Sequence, residues 1–333
     1  MISFFITSLC KVQTVNFEKL AGSFDTKAKS SSSLRRIQRF IAGFDLNPDL
    51  IAKLIFSLLP EQKKLQLTID RTNWKFGSFD INIFMLGIVY QGVAFPLLFT
   101  MLSKRGNSNS LERINLIKRF IRLFGREVID SLVADREFVG EQWLEYLNQE
   151  QIKYYIRIRN NFKVFVPDKN QSLKVSWLFN SLVPHKFIYY PNIVKINNQL
   201  CYLSGCKLSK NQSKQDYLIL VSFNKPENAQ DIYKQRWQIE MCFKAMKSSG
   251  FNIEHTHLQN QERVQRLLLL VLIAFVWCYK IGIQRNILRP IKIKTHNRKA
   301  ISIFKYGLNY VSSVFLNIEF EDDIGILDFL SCT

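Results

Sequence analysis

Neither of the glycine-rich phosphate loops, G-x-x-x-x-G-K or G-x-G-x-x-G, occurs in this chain, so the usual signatures of nucleotide hydrolases and dinucleotide enzymes are missing. Histidine is scarce, with four residues; His255 and His257 lie two apart, Cys201 and Cys206 five apart, and neither pair has zinc-site spacing or a partner pair. The start, MISFFITSLCKVQ, has an apolar patch but no basic segment before it, which argues against a secretory signal and leads us to expect a protein that stays in the cytoplasm. The cysteines (Cys10, Cys201, Cys206, Cys242, Cys278 and Cys332) are therefore expected as free thiols. The longest apolar run, Leu267 to Tyr279, has only 13 residues, short of a bilayer span, and reads as a buried core helix with no membrane partner. Acid is also in short supply, 27 Asp and Glu against 46 Lys and Arg, a net charge of +19 whose field attracts polyanions and makes nucleic acid the leading partner. An apolar fraction of 47% with 27 Phe suffices for a large core.

The order of patterns suggests an α/β core with a β-rich insertion. Residues 1–60 read as helical, with Asn47 and Pro48 opening PDLIAKLIFSLL, and with Arg35, Arg36 and Arg39 as candidate phosphate contacts or a solvated face. LQLTID ends at Asp70, and the runs Ile81–Tyr90 and Val93–Leu102 meet at Gln91 and Gly92, a hairpin signal, so three antiparallel strands are expected. An amphipathic helix follows, with Ser110 as candidate N-cap and Gly125 as its close; then come VIDSLVAD ending at Asp135, a helical stretch over 140–149 and the strand-like KYYIRIR. The segments are a helical 1–60 with possible DNA contact, a first core part at 61–159, a β-rich insertion at 160–225, two helices over 226–285, and a basic segment with an acidic tail at 286–333.

Two acids at the carboxyl ends of neighbouring strands would line one crevice of an open sheet. They repel one another unless a cation sits between them, and hard divalent ions take oxygen ligands. A third acid, Glu240, shares a predicted helix with Tyr233, Arg236 and Lys247; at 100° per residue all four fall within a stripe about 60° wide, directly beside an apolar stripe of Ile232, Ile239, Phe243 and Met246. An ordinary surface pair of Arg236 with Glu240 would explain neither the Tyr nor the Lys.

The pattern Tyr-x2-Arg-x3-Glu-x6-Lys, read as YKQRWQIEMCFKAMK, resembles the signature of the insertion-sequence-four family of bacterial DDE transposases, and TIDRTNW and VADREF resemble its two aspartate motifs. The resemblance runs from about Leu65 to Tyr279. It implies a ribonuclease-H-like mixed sheet with flanking helices, in which Asp70, Asp135 and Glu240 hold two Mg²⁺ (or Mn²⁺) ions and catalyse cleavage and joining of DNA ends. It further implies that Tyr233, Arg236 and Lys247 contact terminal phosphates, and that two copies pair the transposon ends as a homodimer bound to end and target duplexes. Trp237 either stacks on a flipped base, as in relatives, or belongs to the core. A nuclease of the same core that never joins, and an inactive remnant acting as a DNA-binding inhibitor, are the alternatives.

Overall fold

The computed structural model describes residues 1–59, 63–76, 79–180, 183–208, 217–224, 227–295, 297–316 and 325–327; Cys332 and most of the acidic tail lie outside the described residues. The chain forms two compact units, one of Met1–Glu61, Thr72–Ile83 and Met241–Thr333, the other of Gln62–Arg71 and Phe84–Glu240. It begins with helices α1 (Ile2–Val12), α2 (Phe17–Gly22), α3 (Ser30–Gly43) and α4 (Pro48–Ser57). Strands β1 (Leu65–Phe76), β2 (Phe79–Tyr90) and β3 (Val93–Met101) follow, then α5 (Ser110–Phe124), β4 (Ile129–Ala134), α6 (Glu141–Gln149) and β5 (Lys153–Ile158). Next come β6 (Lys163–Val166), β7 (Gln171–Lys174), β8 (Ile188–Tyr189), β9 (Val194–Ile196), β10 (Gln199–Lys207) and β11 (Tyr217–Ser222), with 3₁₀ turns at Pro167–Lys169 and Val175–Phe179. Helices α7 (Ala229–Lys234), α8 (Trp237–Met246), α9 (Gln261–Leu288) and α10 (Ile303–Phe315), with a 3₁₀ turn at Ile253–His255, complete the described elements.

In the first unit α9 is the central helix, packed against α1, α3, α4 and α10. Asn260 caps it by accepting from the Arg263 amide at 3.1 Å. Counting uninterrupted apolar residues understated it: α9 has 28 residues and a mean hydropathy of 2.1 over its most apolar window, enough by length and composition to cross a membrane, yet 83% of that window is buried within the protein. A helix apolar all round finds its burial here in a core. Its backbone meets that of α10 at Gly282 and Gly307, where a Cβ would collide with the carbonyls of Ile303 and Cys278. Cys10 and Cys278 lie with their sulfurs 3.6 Å apart as thiols, and all five described cysteines are free.

The second unit contains most of a sheet ordered β3-β2-β1-β4-β5-β11-β10-β9-β6-β7. Its first five strands have the order expected of a ribonuclease-H-like core, with β4 parallel to both β1 and β5, and β11 antiparallel to β5. Gln91 and Gly92, at φ of 46° and 95°, form the two-residue turn between β2 and β3. Two expectations change. The cap of α5 is Asn109 and not Ser110: the Asn109 carboxamide accepts from the Glu112 amide at 2.9 Å and the Glu112 carboxylate accepts from the Asn109 amide at 2.7 Å. Strand β1 does not end at Asp70 but continues to Phe76 beside β2; what stops there is its pairing with β4, last seen at Ile69↔Ala134.

Candidate active site

Asp70 and Asp135 each stand one residue beyond that last pair, so the parallel register sets them side by side on adjacent strands. Asp70 Oδ1 accepts from the Arg71 amide at 2.7 Å. Asp135 Oδ1 is buried and has no hydrogen-bond partner among the described residues. The segments behind the two acids are tied together, since Arg71 pairs with Glu137 at 3.4 Å and donates to Asn107 at 3.0 Å. Arg113, buried on α5, donates to the carbonyls of Glu137 at 2.9 Å and Val139 at 3.5 Å and to the Ser108 hydroxyl at 3.0 Å, with its guanidinium 5.1 Å from the Phe138 ring centroid. Burial lowers the Arg113 pKa to about 10, against the pull of Glu137 and Glu112. These bonds hold the loop that begins at Asp135.

The third acid arrives on a broken helix. The sequence suggests one continuous helix through Tyr233, Arg236 and Glu240, whereas α7 ends at Lys234 and α8 begins at Trp237. Around the break the amides bond three residues back: Gln235 to Ile232, Arg236 to Tyr233, Gln238 to Gln235 and Ile239 to Arg236, at 3.0–3.2 Å. Tertiary bonds fix it, because Gln66 of β1 donates to the Ile232 carbonyl at 2.9 Å and the Tyr90 amide donates to Gln238 at 3.1 Å. The tighter turn changes where the signature residues point. Tyr233 is 7% exposed and packs with Val133, Tyr155, Leu220 and Ala229. Trp237 is 59% exposed, which places it outside the core.

Arg236 occupies the centre of the arrangement. One of its nitrogens lies 3.5 Å from Asp70 Oδ2 and another 2.7 Å from Glu240 Oε1, so a single guanidinium bridges two acids. Its carbon is 5.8 Å from the Tyr233 ring centroid, and Asp135 acts electrostatically on both Tyr233 and Arg236. Burial pushes the Tyr233 hydroxyl up to about 12; Arg236 opposes the shift without meeting the hydroxyl in hydrogen-bond geometry. The Asp70 carboxyl is pushed from 3.8 to about 7, first by burial, then against the Arg71 amide and Arg236 and with the help of Glu137 and Glu240.

These residues fit a hard divalent cation. Every donor is a carboxylate oxygen, one of them is buried and unpartnered, and Asp70 is costly to ionise without added positive charge. Among the described residues no three ligand-type side chains already form a metal cage, and the Arg236 guanidinium pairs with both Asp70 and Glu240.

Comparison with known proteins bears directly on this arrangement of acids. The family model described as a transposase DDE domain matches residues 62–277, well over half of the chain and spanning all three acids. The chain belongs to that family. No curated protein matches the transposase. Among solved structures it is similar to a piggyBac transposase in a synaptic complex with hairpin DNA, seen by cryo-EM, at 12% identity and a TM-score of 0.50, covering 99% of this chain and 74% of that one. At that identity the likeness speaks for the ribonuclease-H-like fold. The transposase is accordingly an enzyme of DNA transposition that works with divalent metal on DNA.

The second unit of the transposase thus brings together Asp70, Asp135, Tyr233, Arg236 and Glu240, with Trp237 exposed directly after Arg236 in the chain. Lys247 belongs to the first unit, one residue past the end of α8; there it pairs with Glu254 at 2.7 Å, donates to the Asn73 carbonyl at 3.4 Å and lies 5.4 Å from the Trp74 ring centroid. Sequence reasoning missed Arg71, Glu137, Arg113, Gln66 and Gln238. A signal existed for the first two, which sit one and two residues after the motif aspartates. The others act across more than 20 residues of sequence or through main-chain atoms, and pattern alone does not mark them.

Proposed function

We propose that the transposase is a cut-and-paste enzyme of the insertion-sequence-four type, and that Asp70, Asp135 and Glu240 are its metal ligands, holding two Mg²⁺ or Mn²⁺ ions. The observation that carries this reading is the row of Asp70 and Asp135 on parallel strands, with Arg236 linking Asp70 to Glu240. Bound divalent ions supply charge stabilisation at the scissile phosphate and activation of the attacking oxygen. Within the chain, Arg71, Glu137 and Arg113 fix the loop that carries Asp135. Gln66 and Gln238 fix the turn that carries Arg236.

In the DNA-free state Arg236 neutralises the acids that the metal would otherwise neutralise. When cation and DNA arrive, its planar fork turns to a terminal phosphate, with Lys247 as a second phosphate contact and Tyr233 beside Arg236. The exposed indole of Trp237 stacks on a base flipped out at a hairpin end. The substrates are the transposon's own ends and target duplex, handled by a homodimer in the synaptic complex, in a bacterial cytoplasm where the chain associates with the nucleoid. Support for the hairpin step comes from the piggyBac transposase, which holds hairpin DNA in its synaptic complex.

The test is cleavage of a duplex carrying the inverted repeat that flanks the coding region, with Mg²⁺ or Mn²⁺. Asp70→Ala, Asp135→Ala and Glu240→Ala are each expected to lower cleavage by at least about a hundredfold while leaving DNA affinity within a few fold. A variant that cleaves at the wild-type rate removes its residue from the site.

A further inference from the structure

The residue after Asp135, Arg136, is exposed and lines a basic cavity. A cavity of about 390 Å³ is lined by Arg136, Arg157, Arg159, Asn160, Asn161 and Tyr217, and no carboxylate is among its described lining residues. Its position follows from the sheet register. The last pair of β4 and β5 is Ala134↔Ile156, so the next step sets Arg157 beside Asp135, as the step past Ile69↔Ala134 sets Asp70 beside it on the other side. Arg157 and Arg159 alternate on one face of the chain as it leaves β5, with Ile158 buried between them. Arg157 also acts electrostatically on Tyr233. Tyr217, on the neighbouring β11, is held by its hydroxyl against Asn180 at 3.2 Å.

Arg136 and Arg159 present two exposed guanidiniums to a space large enough for a small ligand, where like charges repel unless an anion or solvent offsets them. Guanidinium forks with carboxamide donors beside them suit phosphate oxygens. We propose that this cavity is a phosphate subsite for DNA backbone, in which Arg136, Arg159 and the Asn160 and Asn161 carboxamides grip the strand on the β5 side of Asp135, next to the phosphodiester the acids act on. The proposal rests on the transposase reading and adds a grip outside the Tyr, Arg and Lys signature. The shared chemistry is a DNA phosphodiester; its source is either the transposon's own end or the target.

Fluorescence anisotropy on the full chain, without divalent metal, tests it with two short duplexes, one carrying the flanking inverted repeat and one of unrelated sequence as target. Arg136 and Arg159 are exposed, so Arg136→Ala and Arg159→Ala should fold as the wild type does. Each is expected to weaken binding about tenfold and to make the slope of log K against log salt shallower by about one. Arg159→Lys, which keeps the charge but loses the fork, should keep the slope and lose about threefold in affinity. Loss on the end duplex alone assigns the subsite to the transposon end, loss on the unrelated duplex alone assigns it to target, and loss on both assigns it to backbone common to the two. Unchanged affinity and slope for both alanine variants, with a wild type that binds, overturn the subsite and leave the transposase reading standing. A wild type that binds neither duplex overturns both.

Discussion

Asp70 is the residue where the site's chemistry can be read from the folding equilibrium. Its carboxyl sits at about 7 in the fold against 3.8 for the free group, first because it is buried, with the Arg71 amide and Arg236 returning part of the shift and Glu137 and Glu240 offsetting part of that return. The folded form therefore holds its proton to higher pH than the unfolded form does. Its contribution to stability is fully present below about 3.8 and is lost as pH rises through about 7. In chelator, Asp70→Asn should melt a few degrees above wild type at pH 8, and the gap should close as pH falls through 7 toward 4. Added Mg²⁺ should raise the melting temperature of the wild type and leave the variant nearly unmoved. A variant that melts at or below the wild-type temperature at pH 8 would show that Asp70 carries no such cost.

At the scale of elements, the site depends on two irregular segments, the loop after β4 and the break between α7 and α8. Arg113 holds the first through the carbonyls of Glu137 and Val139 and ties it to the Ser108 carbonyl ahead of α5. Arg113→Met keeps the stem's packing on Phe138 but leaves those carbonyls unpaired, so a loss of about 2–4 kcal/mol is expected in urea unfolding, with lower divalent-dependent cleavage. A loss under about 0.5 kcal/mol would mean the loop stands without it. The contrast between the two segments shows what the sequence could reveal. The juxtaposition of Asp70 and Asp135 was legible because an apolar run leads into each acid, although only β4 stops there while β1 runs on to Phe76, and the cap of α5 was legible too: Asn109 has Glu112 three residues on and completes a capping box, whereas Ser110 has Arg113 there and cannot. The break at Gln235 and Arg236 was not legible. YKQRW contains good helix formers, and what interrupts it are bonds to Gln66 and Tyr90, well over a hundred residues away in sequence. Arg157 was silent for a related reason, since a cation on a strand reads as a solvated face until the register sets it beside Asp135.

For the whole molecule the governing quantity is charge. The fold and the acids define what is done to a phosphodiester, yet a chain of +19 first meets DNA as a polyanion, and 46 cations spread along the sequence cannot all serve one site. Arg35, Arg36 and Arg39 on α3, the three arginines beside Asp135 and Lys247 lie on different elements. Each phosphate neutralised releases condensed counterions, and log K falls by about 0.9 per contact for each unit of log salt. Binding of any duplex should therefore weaken steeply between roughly 50 and 200 mM salt, by about a thousandfold if six phosphates are engaged, with little dependence on sequence because backbone contacts carry no base code. The steepness should persist in the triad alanine variants, which remove acids and leave every cation in place. It should fall only in variants that remove arginine or lysine. A wild-type slope near zero over that range would mean that the excess charge serves something other than DNA.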